Sequence, residues 1–219
     1  MVVESMNYEE IVAEYNKDWY SEIAEKVACI ISNNNQKYRR YIMQNLRSEQ
    51  HFYFKPIFLT SKRGNNYVLH ISTRGWADYK KNNVLFLIYM YYKQKDGIHV
   101  VMPNWRRDSY AFDGFIFYTS HLFDRYRERE MKDVHIPKMD AVIECMKWNC
   151  TTRHKETFNE KYPNSIFIAS PYGVMLGTLL DDGNKIMKTY LSFDMLRGQQ
   201  NDDKDELKEI VLEYMKHLQ

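Results

Sequence analysis

Three runs between residues 51 and 94, FYFKPIFLTSK, NYVLHISTRG and NVLFLIYMYYKQ, are dominated by β-branched and aromatic side chains, and RGNN and DYKKNN separate them. Such side chains suit a pleated, half-buried surface and turn formers stop each run, so this stretch predicts neighbouring sheet strands. KQKDGIHVVMP adds a tight turn at Asp96-Gly97 and a further strand, most simply a hairpin with the run before it. Near the other end, SIFIAS, GVMLGTLL and KIMKTYLSF are joined at PYG and DDGN and predict a three-stranded meander. Any fold for this chain must therefore cover a large amount of antiparallel sheet.

The covering layer is helical. Ile11, Val12, Tyr15, Trp19, Ile23, Val27 and Ile30 recur at helical spacing, predicting an amphipathic helix over 7–31. SNNNQ at 32–36 supplies turn formers, so a break is expected there, followed by a second helix with Tyr38, Tyr41, Ile42 and Leu46 on its apolar side. Met139, Val142, Ile143 and Met146 mark a helix that Pro137 could open. NCTTRHKETFNEKYPN reads as a long polar connection, and Leu207, Ile210, Val211, Tyr214 and Leu218 predict a closing helix. The fold class expected is α+β, with 1–114 as a helical and sheet region and 115–219 as a helix-helix-meander region, either as two parts or as one continuous domain sharing one core.

With 219 residues, 44% apolar and 15% aromatic, the chain can build a substantial core. A net charge of +2 gives no global cationic field, so any nucleic-acid partner has to be argued from local clusters. Cys29, Cys145 and Cys150 are too few and odd in number for a disulfide framework, which points to a reducing, cytoplasmic setting. MVVESMNYEEIVAEY has acids where a signal peptide is basic, and VLFLIYMYY is far short of a membrane span, so no membrane association is expected. The eight glycines form no phosphate loop, and there is no Gly-x-Ser-x-Gly elbow. Cys145, Cys150 and His154 lack a fourth ligand and the usual close cysteine pair for zinc, so neither a metal nor another cofactor is expected.

The segment YTSHLFDRYRERE carries the chemistry. Thr119 or Ser120 can cap a helix on which His121, Arg125 and Arg129 fall four residues apart along one side. An imidazole and two guanidiniums in a row suit an anion, although a solvated face with Asp124 and Glu128 pairing to their neighbours explains the same pattern.

The order of a strand, the His-x3-Arg-x3-Arg helix, a second helix and a meander ending in KTYLSFDML resembles the compact ribonuclease superfamily of RelE-type toxins, colicin D and barnase-like endonucleases, over residues 115–197. That resemblance implies metal-independent cleavage of RNA by attack of a ribose 2′-hydroxyl on phosphate. On matching positions, His121 would exchange a proton, Arg125 and Arg129 would hold the phosphate, and Lys188, Thr189 and Tyr190 would bring a cation and hydroxyl donors. Strand alternation puts Lys188 and Tyr190 on one face and Thr189 on the other, so either Thr189 or the Lys188/Tyr190 pair would face the phosphate. A second acid or base beside His121 is not identified. An antitoxin or other protein partner would accompany a toxin-like member.

Two further clusters could contact RNA. QKYRRYIMQNLR places Lys37, Arg39, Arg40 and Arg47 beside Tyr38 and Tyr41, and NWRRDSY places Arg106 and Arg107 after Trp105. A solvated basic helix face and a loop anchored by a buried indole are the plainer explanations. The expected function is thus a metal-independent endoribonuclease or a toxin-like relative, with a non-catalytic RNA-binding or protein-interaction module retaining a phosphate-binding face as the alternative.

Overall fold

The computed structural model describes residues 1–45, 52–73, 84–105, 112–149, 153–156, 164–169 and 173–196. The expected closing helix, Arg47, Arg106, Arg107 and Cys150 lie outside these residues. The chain is mixed α/β, with a long N-terminal helix, mostly antiparallel strand pairing and further helices. It divides into two compact units, one of them Met1–Tyr92 and the other beginning at Lys93.

In the first unit, α1 (Tyr8–Asp18) starts at a reciprocal cap: Asn7 accepts from the Glu10 amide and Glu10 accepts from the Asn7 amide, each at 2.9 Å. A π-helical turn, Trp19–Ile23, joins it to α2 (Ala24–Asn45). The π turn has a cause in the sequence. Ile11, Tyr15, Trp19, Ile23 and Val27 are spaced by four throughout, and on an α-helix each such step drifts about 40° around the axis, about 160° in all. A wider turn in the middle brings the later residues back toward the buried side, where Ile11, Tyr15, Ile23 and Val27 all sit.

The expected break at 32–36 does not occur, and α2 runs straight through it. Asn34 donates to the Ile30 carbonyl at 2.9 Å and Asn33 to Cys29 Sγ at 3.2 Å. These asparagines bond back one turn along the helix, where in other settings they would bond locally and start a turn. Tyr38 and Ile42 are buried, and Tyr38 lies 4.4 Å from Phe54 between ring centroids.

The strands of this unit are β1 (Phe52–Tyr53), β2 (Ile57–Thr60), β3 (Asn66–Thr73) and all but the last two residues of β4 (Leu85–Gln94). β3 is central, pairing antiparallel with β1, β2 and β4. Its residues from Tyr67 to Thr73 are all buried, the pattern of a strand covered on both faces.

Three acids on the N-terminal helix, Glu14, Asp18 and Glu22, are also buried, and all of them close on the β2–β3 turn. Arg63 binds Glu14 through two nitrogens at 2.8 and 2.7 Å. Asn65 reaches Asp18 at 2.7 Å, Tyr67 Oη donates to Asp18 at 3.0 Å, and the Lys62 amide donates to Glu22 at 2.6 Å. The Arg63 guanidinium, working against burial and helped by the Met1 amino group and Asn65, holds the Glu14 carboxyl at about 2, below its ordinary 4.5.

A depressed carboxyl stabilises the fold above its unfolded value, and that stability is lost as pH falls through the folded value. Stability should therefore drop between about pH 4.5 and about pH 2, and the drop should be shallower in Glu14→Gln. Urea midpoints measured across that range test this, and parallel curves for the two proteins would refute it.

The second unit contains β5 (Gly97–Trp105), β6 (Phe112–Tyr118), α3 (Ser120–Arg129), α4 (Lys138–Asn149), β7 (Arg153–Glu156), β8 (Ser165–Ala169), β9 (Gly173–Leu179) and β10 (Lys185–Ser192). Its strand order is β5-β6-β10-β9-β8-β7. β8, β9 and β10 form the expected meander, β7 extends it where a polar connection was expected, and β10 runs parallel to β6. A parallel neighbour needs a crossover, and α3 and α4 lie within that connection.

Candidate functional site

α3 begins at Thr119, whose extended backbone and Oγ1, accepting from the Leu122 amide at 3.4 Å, form the cap. The same hydroxyl donates to the Lys188 carbonyl at 3.2 Å, and the Thr119 amide donates to the Met187 carbonyl at 3.1 Å. The first turn of α3 is thereby pinned to β10. Ser120, Leu122, Phe123 and Tyr126 form the buried side, which leaves His121 and Glu128 exposed and Arg125 half-exposed on the outer side. Arg127 and Arg129 fall in the last turn, where cations suit the negative end of the helix.

Ser120 and Lys138 fix the helix from beneath. Ser120 Oγ donates to the Asp96 carbonyl at 2.6 Å, and Lys138 Nζ donates to Ser120 Oγ at 2.6 Å and to Asp124 at 2.9 Å. Burial raises the Asp96 carboxyl, but its 2.7 Å contact with His99 outweighs this and holds it below its usual value. From the sequence Ser120 was read only as an alternative cap and Asp96 only as a turn residue, and Lys138 stands in no recognisable motif. Their link spans 24 and 18 residues.

β10 carries a bulge. Met187 pairs with Gly177 and Thr189 with Leu176, which are consecutive on β9, so Lys188 is the extra residue. An insertion resets strand alternation. Lys188 is exposed and Tyr190 is fully buried, so the two do not share an exposed surface as plain alternation implies, and Thr189 is half-buried. Tyr190 Oη donates to Glu130 at 2.8 Å, and its ring meets Tyr126 edge-on at 5.1 Å. Burial, then the Glu130 carboxylate, push the phenol well above its ordinary value. Arg129 donates to the Tyr190 carbonyl.

The residues singled out from the sequence thus separate into two groups. Arg129 and Tyr190 tie α3 to β10. His121, Arg125 and Lys188 face outward around the pinned start of α3. There Arg125 Nε donates to His121 Nε2 at 3.4 Å and its Nη1 pairs with Glu128 at 2.6 Å. A half-exposed guanidinium and an exposed ammonium are groups that a phosphate oxygen can reach without disturbing the core. Arg39 and Arg40 lie on α2 in the other unit, half-buried and exposed respectively.

Among the described residues no three His, Cys, Asp or Glu side chains are grouped to hold a metal ion, and no helix is long and apolar enough to cross a membrane. Cys145 is fully buried. The chain matches no protein-family model, and neither a curated protein nor a solved structure matches it.

Proposed function

We propose that this chain binds the phosphate backbone of RNA through His121, Arg125 and Lys188. The observation that supports this reading is their common exposure around a helix start that two bonds from Thr119 hold to the bulged strand. The bulge exposes Lys188 beside that start, and Arg125 presents a fork of donors whose present partner, Glu128, is itself exposed. An exposed pair of this kind contributes little and yields readily to a competing anion.

Fluorescence anisotropy with a labelled RNA across a salt series tests the reading. Arg125→Ala combined with Lys188→Ala should weaken binding on the order of tenfold and lower the salt slope by about 1.4, the share of two cations on a single strand. No binding by the unmodified protein at about 50 mM salt would end it.

Metal-independent endoribonuclease action is the second reading, favoured by the Arg125–His121 contact. A phosphate drawing Arg125 away would free His121 Nε2 to accept the 2′-hydroxyl proton as that oxygen attacks phosphorus; the P–O5′ bond breaks, and the departing 5′-oxygen takes its proton from water or from the imidazolium so formed. Lys188 is the cation placed to meet the charge that gathers on phosphate, because Tyr190 is buried on Glu130. Total RNA incubated with a chelator should be cut by the unmodified protein and left intact by His121→Ala. Equal cutting by both would remove His121 from the chemistry, and intact RNA in both would leave binding as the function.

A further inference from the structure

The outer side of α2 offers a second surface, in the unit that does not contain α3. From Lys26 through Ser48 the sequence has no acidic residue, while Lys37, Arg39 and Arg40 fall within four positions. Gln36, Arg39, Arg40, Met43 and Gln44 stand at successive helical steps of three and four, so they share one side of α2, and they line an open trough of about 460 Å³. The buried side of the same helix is marked by Tyr38 and Ile42. Tyr41 is not among the lining residues; it follows Arg40 on the helix with 43% of its surface exposed, its ring edge-on to Phe52 at 5.6 Å and to Phe54 at 5.4 Å.

This set is chemically specific. Two guanidiniums supply donors for phosphate oxygens, two carboxamides supply both donors and acceptors for base edges, and a thioether and an exposed phenol ring offer soft surfaces for a base face. Its volume lies in the range that takes nucleotide-sized groups, and a duplex, whose bases are stacked inside, could not present them to it. An acidic peptide would satisfy the arginines but make no use of the ring.

We propose that this face of α2 binds a single-stranded RNA segment, with Arg39 and Arg40 on consecutive phosphates and Tyr41 against an unpaired base. The site is separate from the α3 face and does not depend on it.

The test uses the full chain and a labelled twelve-nucleotide oligouridylate. Arg39→Ala with Arg40→Ala should weaken binding on the order of tenfold and lower the salt slope by about 1.4, with an unchanged melting temperature. Arg40→Glu, a change at an exposed position, should weaken it comparably and guards against a folding defect in the double variant. If both variants bind as the unmodified chain does, the proposal fails. Loss with Arg125→Ala and Lys188→Ala but not with the α2 variants overturns this site and spares the α3 reading, and the reverse pattern does the opposite. Polyglutamate of equal charge that competes as well as oligouridylate would overturn RNA as the occupant and assign the surface to an acidic protein segment.

Discussion

Asp18→Ala is expected to destabilise the Met1–Tyr92 unit by about 3 kcal/mol, the lower end of the cost of stripping one partner from a buried charged network. Asp18 is fully buried and accepts from Asn65 and Tyr67 Oη, with Arg63 Nε 3.7 Å away. Without the carboxylate, the Tyr67 hydroxyl loses its described acceptor at a fully buried position. The guanidinium is the lesser loss, because Arg63 is 46% exposed and water can replace its partner. Urea unfolding of Asp18→Ala, Tyr67→Phe and the double variant gives the coupling directly. The double variant should lie well short of the sum of the two, and strict additivity with a small Asp18 effect would show that the clamp on the β2–β3 turn contributes little.

Gly97→Ala should cost a further large amount, about 2–3 kcal/mol, for a different reason. Gly97 has φ of 129°, in the region open to glycine, and a Cβ there would lie 2.4 Å from Ser120 Oγ and 2.7 Å from Lys138 Nζ. The lysine end can swing aside. Ser120 cannot, because it is fully buried in the first turn of α3 and bonded to the Asp96 carbonyl. Relief should therefore be partial when Ser120→Ala is added, removing the collision and leaving the backbone strain. Full recovery would show that φ is easily adjusted at 97, and no recovery would show that the hydroxyl is not what obstructs.

These two sites also mark where the sequence could and could not be read. Apart from β7, whose RHKE was read as part of a polar connection, the strands of both units were legible because β-branched and aromatic runs between turn formers have few other uses. The cap at Thr119 and the helix after it were legible because both signals are local. Glu14, Asp18 and Glu22 were passed over as ordinary polar positions, since the partners they take from the β2–β3 turn stand 40 to 51 residues away.

The bulge at Lys188 was hidden for a similar reason. A strand's alternation is visible in its own residues, whereas an unpaired extra residue exists only relative to a neighbouring strand, here β9. The asparagines at 33–35 misled because their side chains serve a turn or a helix equally well. In the candidate site, the spacing of His121, Arg125 and Arg129 was correct as a helical row. Arg129 lies at the edge of that row, where a side chain can turn back to the Tyr190 carbonyl, and no periodicity distinguishes that choice.

The π turn at Trp19–Ile23 separates two demands that a uniform helix would have to meet together. Upstream, Glu14 and Asp18 must aim at the β2–β3 turn, and downstream Val27, Tyr38 and Ile42 must aim at the core. In an unbroken α-helix the aim of one half fixes the aim of the other, at about 100° per residue. One residue of slack, on a stretch whose Tyr20 is 75% exposed, frees each half to be oriented by its own contacts. The long N-terminal helix is mechanically two levers on a common axle, and the α2 face can be tuned without re-aiming the acids that lock the hairpin turn.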